Sequence, residues 1–290
     1  MQSSSRKVGI LAVLGSALSF GTTGTTQQLG VPDISPLAVG SARLLCGSLF
    51  LFLFAYIQRS ARGTVRASRR DLFICGMGVA MYQLTFFSAV SITGIAISTV
   101  TALGSVPTFS AIVAYFVLGE KPLRSWYLGT SVTILGIILV GTANGVDLFK
   151  PFGILLAAIA GLGFAIFNVI SRRSLSRGAQ DIWLTATSFG IAALLTTPFL
   201  FAQNPEWILT RNGGLSVLWL GLVPTAIGYF LFTYGLKRID SSTAATVVLA
   251  EPATATILAA LIIGESLVLQ SFLGIAIVAA GILYISKSKL

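Results

Sequence analysis

Long uncharged apolar stretches alternate with short clusters of basic residues along this chain. Val8–Pro32, Leu72–Gly119, Ser125–Val146, Pro151–Ser171, Ile182–Pro205, Asn212–Leu236 and Ser266–Ser286 contain no charged residue. A helix rising ~1.5 Å per residue needs ~20 residues to cross ~30 Å of hydrocarbon, so most of these windows are single spans. Leu72–Gly119 is too long for one span, and Ser91-Ile92-Thr93-Gly94 is the natural division. Two further windows hold one charge each: Ile34–Gln58 contains Arg43 and Ser241–Gly264 contains Glu251. The pattern predicts an all-α membrane protein with ten transmembrane helices, near 8–29, 34–58, 71–90, 95–118, 125–143, 151–171, 181–203, 214–236, 241–263 and 267–286.

The pattern also repeats. "LGEKPLRSWYLGTSVTILGIILV" from Leu118 lies over "IGESLVLQSFLGIAIVAAGILYI" from Ile263 at an offset of 145, matching Gly119 to Gly264, Glu120 to Glu265, Gly129 to Gly274 and Gly136 to Gly281. The same offset puts Pro107 on Pro252 and Gly76 on Gly221. "VGILAVLGSALSF" from Val8 matches "FGILLAAIAGLGF" from Phe152 at an offset of 144. The division expected is 1–145 and 146–290, five helices in each. Because five is odd, the second repeat enters the membrane from the opposite side, and inverted repeats are how many secondary transporters build two states around a midplane site. A duplicated bundle with no transport role is the plainer alternative.

Composition removes the water-soluble classes: 55% hydrophobic residues, 10% charged residues and a mean hydropathy of +0.90 leave too little polar surface for a soluble globule. The net charge of +10 is explained by topology. Of the 19 basic residues, 16 fall on one side if the termini share a face: Arg6, Lys7, Arg59, Arg62, Arg66, Arg69, Arg70, Lys121, Arg124, Arg172, Arg173, Arg177, Lys237, Arg238, Lys287 and Lys289. Lys150 and Arg211 fall on the other side. The positive-inside rule therefore places both termini in the cytoplasm of a bacterial-type inner membrane, and the charge argues for anionic lipid as partner and not for nucleic acid. A cleaved signal peptide is not expected, since the run after Lys7 is span-length. Cys46 and Cys75 lie within spans and suggest no disulfide.

The stretch from Tyr229 to Ile282, with its Ser241–Ala245 entry, the Glu251-Pro252 pair, the Leu-Ile-Ile-Gly-Glu segment to Glu265 and the Gly274/Gly281 spacing, resembles the drug/metabolite transporter superfamily in its ten-span EamA-type branch. Pro36 and Arg43 in the second span match the proline and arginine usual there. The resemblance implies a ten-helix bundle with a central cavity formed mainly by spans one, three, four, six, eight and nine. It also implies a carrier for small metabolites, commonly amino acids, and often an exporter.

Charged groups deep in a bilayer are costly and mark candidate sites. Glu251 lies ten residues past Ser241 and Arg43 nine past Ile34, so both sit roughly 15 Å from a surface, near the midplane. In a chain without histidine, Glu251 is the best proton carrier; the duller reading is a fixed ion pair with Arg43. Pro107 and Pro252 each deprive a carbonyl of its helical partner, which suggests matched bends in two gating helices. Tyr82, Gln83, Asn168, Tyr229, Thr233 and Tyr234 are polar candidates within spans, together with Thr99, Thr101 and Thr246. "SFGTTGTTQQ" from Ser19 puts Thr22, Thr26, Gln27 and Gln28 in the outer third of span one, where they are expected to line an outward vestibule with Gly21 and Gly24 allowing close helix approach. Small-residue stripes at Ala157/Gly161/Ala165 and at Gly129/Gly136 and Gly274/Gly281 are packing surfaces, the last two either within the bundle or between subunits.

The function expected is a secondary-active carrier, most simply an amino-acid-type exporter working by alternating access, with a small-molecule substrate and proton coupling as an option. Export of cationic or aromatic compounds is the alternative. No nucleotide-binding loop, HExxH or second intramembrane carboxylate is present in the sequence, so neither a catalytic residue, a metal nor a cofactor is expected.

Overall fold

Ten helices are long and apolar enough to cross a bilayer: Ser4–Gly30, Pro36–Ile57, Arg69–Thr93, Ile95–Leu118, Arg124–Thr142, Pro151–Ser176, Asp181–Phe201, Arg211–Leu236, Ser241–Ile263 and Leu269–Lys287, spans 1 to 10 below. The computed structural model describes residues 2–58, 67–143, 150–264 and 266–287, and among these there is no β-strand. Arg59, Arg62, Arg66, Glu265 and Lys289, and the expected division at 145/146, lie outside the described residues.

Local chemistry sets several helix ends. Ser68 caps span 3 by accepting the Asp71 amide at 3.1 Å, and Pro36 and Pro151 open spans 2 and 6, where a missing N–H costs nothing. Gly119 and Gly264, paired by the repeat, close spans 4 and 9 with φ of 69° and 84°, a conformation that penalises a Cβ.

The most extensive packing crosses between the halves: span 3 on 6, 5 on 10, 4 on 6, 2 on 7, and 1 on 8 and 9. Exchanging the halves turns the 3–6 contact into 8–1 and the 4–6 contact into 9–1, while 5–10 and 2–7 map onto themselves. This is the pseudo-two-fold relation that an inverted repeat requires. The halves interlock and do not stand side by side, so the cavity between them is shaped by both.

Small residues permit the crossings. A Cβ on Gly78 of span 3 would lie 2.7 Å from the Gly163 carbonyl oxygen of span 6, and one on Gly163 would lie 2.8 Å from that of Gly78. Gly136 and Gly274 stand in the same relation, 2.9 Å each way, between spans 5 and 10, and Gly129 and Gly281 do so one heptad along. The two glycine pairs therefore pack against each other inside the bundle. Large apolar side chains such as Leu11, Phe116 and Leu194 face outward, while Ser41, Thr185 and Asn168 are buried, as lipid solvation demands.

Spans 8 and 9 depart from regular α-helix. Span 8 passes through a π-helical segment, Gly221–Ile227, around Pro224. The carbonyl that Pro224 frees, that of Leu220, accepts the Thr225 hydroxyl at 2.7 Å. Span 9 breaks between Ser241–Val247 and Ala250–Leu258, and the Val248 carbonyl freed by Pro252 accepts the Glu251 amide at 3.0 Å. Span 4, its partner in the repeat, runs as one helix through Pro107. Of the two proline-bearing helices, span 9 alone is broken in its helical hydrogen bonding.

Candidate functional site

A cavity of ≈ 460 Å³ lies among spans 1, 3, 4, 5 and 9 and the start of span 2. Its walls come from the second half of span 1 (Gly24, Gln28), the last turns of span 3 (Phe86, Phe87), the first turns of span 4 (Ile95, Thr99) and the later part of span 9 (Pro252, Thr256). These are all the ends remote from the termini, so the cavity opens on the face opposite them. Arg6 donates to the Ser286 and Ile285 carbonyls at 3.0 and 2.9 Å, which fixes both chain ends on one face.

Beneath the cavity lies a layer of polar and aromatic side chains. Gln83 is one helical turn deeper than Phe87, Arg43 about two turns deeper than Pro36, and Glu251 immediately precedes Pro252. Arg43 is 8% exposed and Nη2 donates to Gln83 Oε1 at 3.3 Å, with the guanidinium carbon 5.8 Å from the Phe87 ring centre. Tyr82 stacks on Phe86 at 5.4 Å, and Tyr229 sits 4.7 Å from Phe20 and 4.3 Å from Phe189. Arg43, Glu251, Tyr82 and Tyr229 lie within electrostatic range of one another. Arg43 and Glu251 make no ion pair; among the described residues the ion pairs are Arg172–Glu120 and Arg173–Asp71.

Those two pairs belong to the other end of the molecule, where a seal of polar bonds links the two repeats, flanked by an outward-facing groove of ≈ 630 Å³ between spans 4 and 5. Glu120, just past span 4, takes Arg172 of span 6 at 3.4 Å with one oxygen and the Ser241 amide and hydroxyl at 3.3 and 3.1 Å with the other. Arg172 also donates to the Leu236 and Lys237 carbonyls, both at 3.1 Å. Arg173 and Ser174 hold Asp71 at the start of span 3. A turn deeper, Asn168 donates to Ser110 Oγ at 3.0 Å and to the Ser241 carbonyl at 2.9 Å. Trp126 of span 5 donates to the Ser242 carbonyl at 3.0 Å and to Thr246, which Thr130 also meets.

The sequence candidates thus divide. Arg43, Gln83, Tyr82, Tyr229 and Glu251 come together under the cavity. Asn168 belongs to the seal, Thr233 is tied to Thr185 of span 7 at 2.9 Å, and Tyr234 lies under the Arg238 guanidinium, 3.6 Å from the ring centre, toward the termini face. Within "SFGTTGTTQQ", Gly24, Thr25, Gln27 and Gln28 line the cavity, whereas Thr22 and Thr26 do not. Thr22 and Thr26 are four residues apart, hence on one helix face, and Thr22 accepts Trp219 Nε1 of span 8 at 3.3 Å. Gly21 does pack closely, on Thr254, but a Cβ on Gly24 would meet nothing within 4 Å, so its expected close approach is not found. Phe86, Phe87 and the Glu120–Arg172–Ser241 cluster escaped the sequence reading. The match of Glu120 to Glu265 was the signal available for the last.

Comparison with known proteins follows the same lines. Residues 7–142 and 151–287 each match the EamA-like transporter family. The chain is 38% identical to the uncharacterized transporter YwfM of Bacillus subtilis, over 96% of this chain and 93% of that one. It is 27% identical to YdfC, an uncharacterized transporter of the same organism, over 89% and 84%. A crystal structure 19% identical in sequence superposes with a TM-score of 0.80 over 96% of both chains, which shows the fold. The chain is a multi-pass membrane transporter and belongs to the EamA-like transporter family.

Proposed function

We propose that the chain is a secondary-active carrier that moves small metabolites by alternating access, as an amino-acid-type exporter with both termini in the cytoplasm. One observation carries this reading: a cavity opens on one face above the layer that holds Arg43 and Glu251, and beyond that layer polar cross-links between the two repeats hold the other face together. Such a geometry is one of the two end states of an inverted-repeat carrier, and exchange of the roles of the repeats generates the other. Arg43 and Glu251, of opposite charge and not paired, suit the two ends of a zwitterion. Glu251 is also the group available for proton coupling.

The test is counterflow in proteoliposomes preloaded with unlabelled amino acids. A carrier gives saturable uptake of labelled solute accelerated by the same solute inside, and a channel gives no acceleration. A second reading, export of cationic or aromatic compounds, is favoured by the Tyr82–Phe86 stack with Glu251 within electrostatic range of Tyr82. It is distinguished by variants: Glu251→Gln abolishes transport of an organic cation, whereas Arg43→Gln is the more damaging change for a carboxylate-bearing solute.

A further inference from the structure

Arg43 is a buried cation with most of its hydrogen-bonding capacity unused. A guanidinium carries five N–H donors and no acceptor. In the structure one of them reaches Gln83 Oε1, while Nε has no partner. Because arginine only donates, that bond fixes which way the Gln83 amide faces, and it leaves Gln83 Nε2 buried without a partner as well. Arg43 is 8% and Gln83 1% exposed, and neither described ion pair includes Arg43. A charge with no ion-pair partner and open donors in the middle of a membrane is expensive unless something else meets it.

The surroundings are shaped for this arrangement. A Cβ on Gly40, one turn before Arg43 on span 2, would collide with Gln83 Nε2 and with the Phe87 ring, so the glycine makes room for the amide and its orientation. Phe87 separates the guanidinium from the cavity and lines the cavity itself. The open donors are a planar guanidinium fork and an amide N–H. The partner that matches a planar fork is a planar two-oxygen anion. A doubly charged phosphate fits less well, because a single guanidinium leaves one charge over and Glu251 lies within electrostatic range.

We infer that Arg43 and Gln83 form a carboxylate receptor, reached from the cavity past Phe87, in which the guanidinium and Gln83 Nε2 donate to the two oxygens of a monocarboxylate. Gln83 has two roles: its carbonyl holds Arg43 in place and its amide nitrogen contributes a donor. The inference rests on the carrier reading above, since the carboxylate belongs to the solute that enters the cavity. Glu251 stays available for a cationic end of the solute or for a proton.

The experiment compares acid and amide of one carbon skeleton on the purified full-length chain: alanine, leucine and phenylalanine against alaninamide, leucinamide and phenylalaninamide, read by thermal stabilisation. For the side chain that binds, the acid is expected to bind at least tenfold more tightly than the amide. Gln83→Leu lowers acid affinity about tenfold and amide affinity less than threefold, and Arg43→Lys, which keeps charge but loses the fork, also collapses the ratio. Gly40→Ala, which pushes on the Gln83 amide, reproduces the Gln83→Leu effect and serves if that variant does not fold. Equal affinity for acid and amide, an unchanged ratio in the variants that fold, or no stabilisation by any acid overturns the receptor. Counterflow on the same preparations separates the two readings. Exchange of organic cations with an acid-to-amide ratio near one removes the receptor and leaves the carrier; a preserved ratio with no counterflow removes the carrier and leaves the receptor.

Discussion

The end of span 6 and the end of span 1 occupy the same place in the two repeats, yet one closes the protein and the other leaves it open. At an offset of 144, Arg172 falls on Gln28, Arg173 on Leu29 and Ser174 on Gly30. Asp71, which Arg173 and Ser174 hold, falls on Ser216 at an offset of 145, and a Cβ on Gly30 would run into Ser216. The contact is kept and its charge is gone. Ser241, the hub of the seal, falls on Ala96, which lines the cavity. An inverted repeat supplies two equivalent gates by geometry alone, and the side chains then decide which gate the empty protein keeps shut. Among the described residues both ion pairs are at the termini face, and that face is the one held shut.

The largest effect is expected from removing this asymmetry. Arg172→Gln removes the bond to Glu120 and the bonds to the carbonyls of Leu236, the last residue of span 8, and Lys237 just past it. Bonds from a charged group contribute about 1.5–3 kcal/mol each, and a net loss near ~2–3 kcal/mol shifts the closed-to-open ratio roughly 30- to 150-fold. A cysteine placed at Val106, fully buried in span 4, reads the change when Cys46 and Cys75 are replaced by serine. Its labelling by a membrane-impermeant thiol reagent from the termini side should accelerate by that factor. Unchanged labelling would mean that the Glu120 cluster is only a surface ornament of a face closed by packing.

The walls of the molecule should respond differently from its ends. Gly274→Val drives a side chain into the backbone of span 5, where Gly136 O and Val140 N lie 2.9 and 2.8 Å from a Cβ. Overpacking of this kind costs about 1–3 kcal/mol, and a lowered melting temperature in detergent is the readout. Gly24→Val, with nothing within 4 Å of the new Cβ, should stay within ~0.5 kcal/mol of the parent while narrowing the cavity and slowing counterflow. If both glycines proved equally sensitive, the open space beside span 1 would not exist in the protein as it folds in lipid.

Much of this was legible in the chain itself, because lipid imposes few solutions. The ten spans follow from uncharged windows, and the inversion follows from the repeat between Leu118 and Ile263 together with an odd helix count. The convergence of Arg43 and Glu251 on one layer was readable as a shared depth, though not their failure to pair, which depends on how spans 2 and 9 are set apart by others. Thr22 and Thr26 were misplaced for a simple reason. Depth along a helix can be counted, but which face meets the cavity depends on neighbours, and Trp219 of span 8 lies 197 residues along the chain from Thr22. The seal was hidden because Glu120, Arg172 and Ser241 all sit at helix ends, where basic and acidic residues are expected anyway as topology signals.

A similarly small effect is expected in span 8, whose irregular middle contrasts with the regular helix of its repeat partner, span 3. In span 8 the segment around Pro224 widens to a π-helix that seats against Gly47 and Cys46 of span 2, and the Leu220 carbonyl accepts the Thr225 hydroxyl at 2.7 Å. Thr225 is 1% exposed, so no lipid headgroup or bulk water can replace the hydroxyl. Thr225→Val keeps the shape and removes that donor. Interhelical and side-chain hydrogen bonds inside membranes average only about 0.6 kcal/mol, so a small fall in melting temperature is expected, with termini-side labelling at Val106→Cys unchanged. A larger fall, joined to faster labelling, would show that the π-segment is held under tension by the same closure that Arg172 maintains, and that widening of span 8 is part of the movement between the two faces.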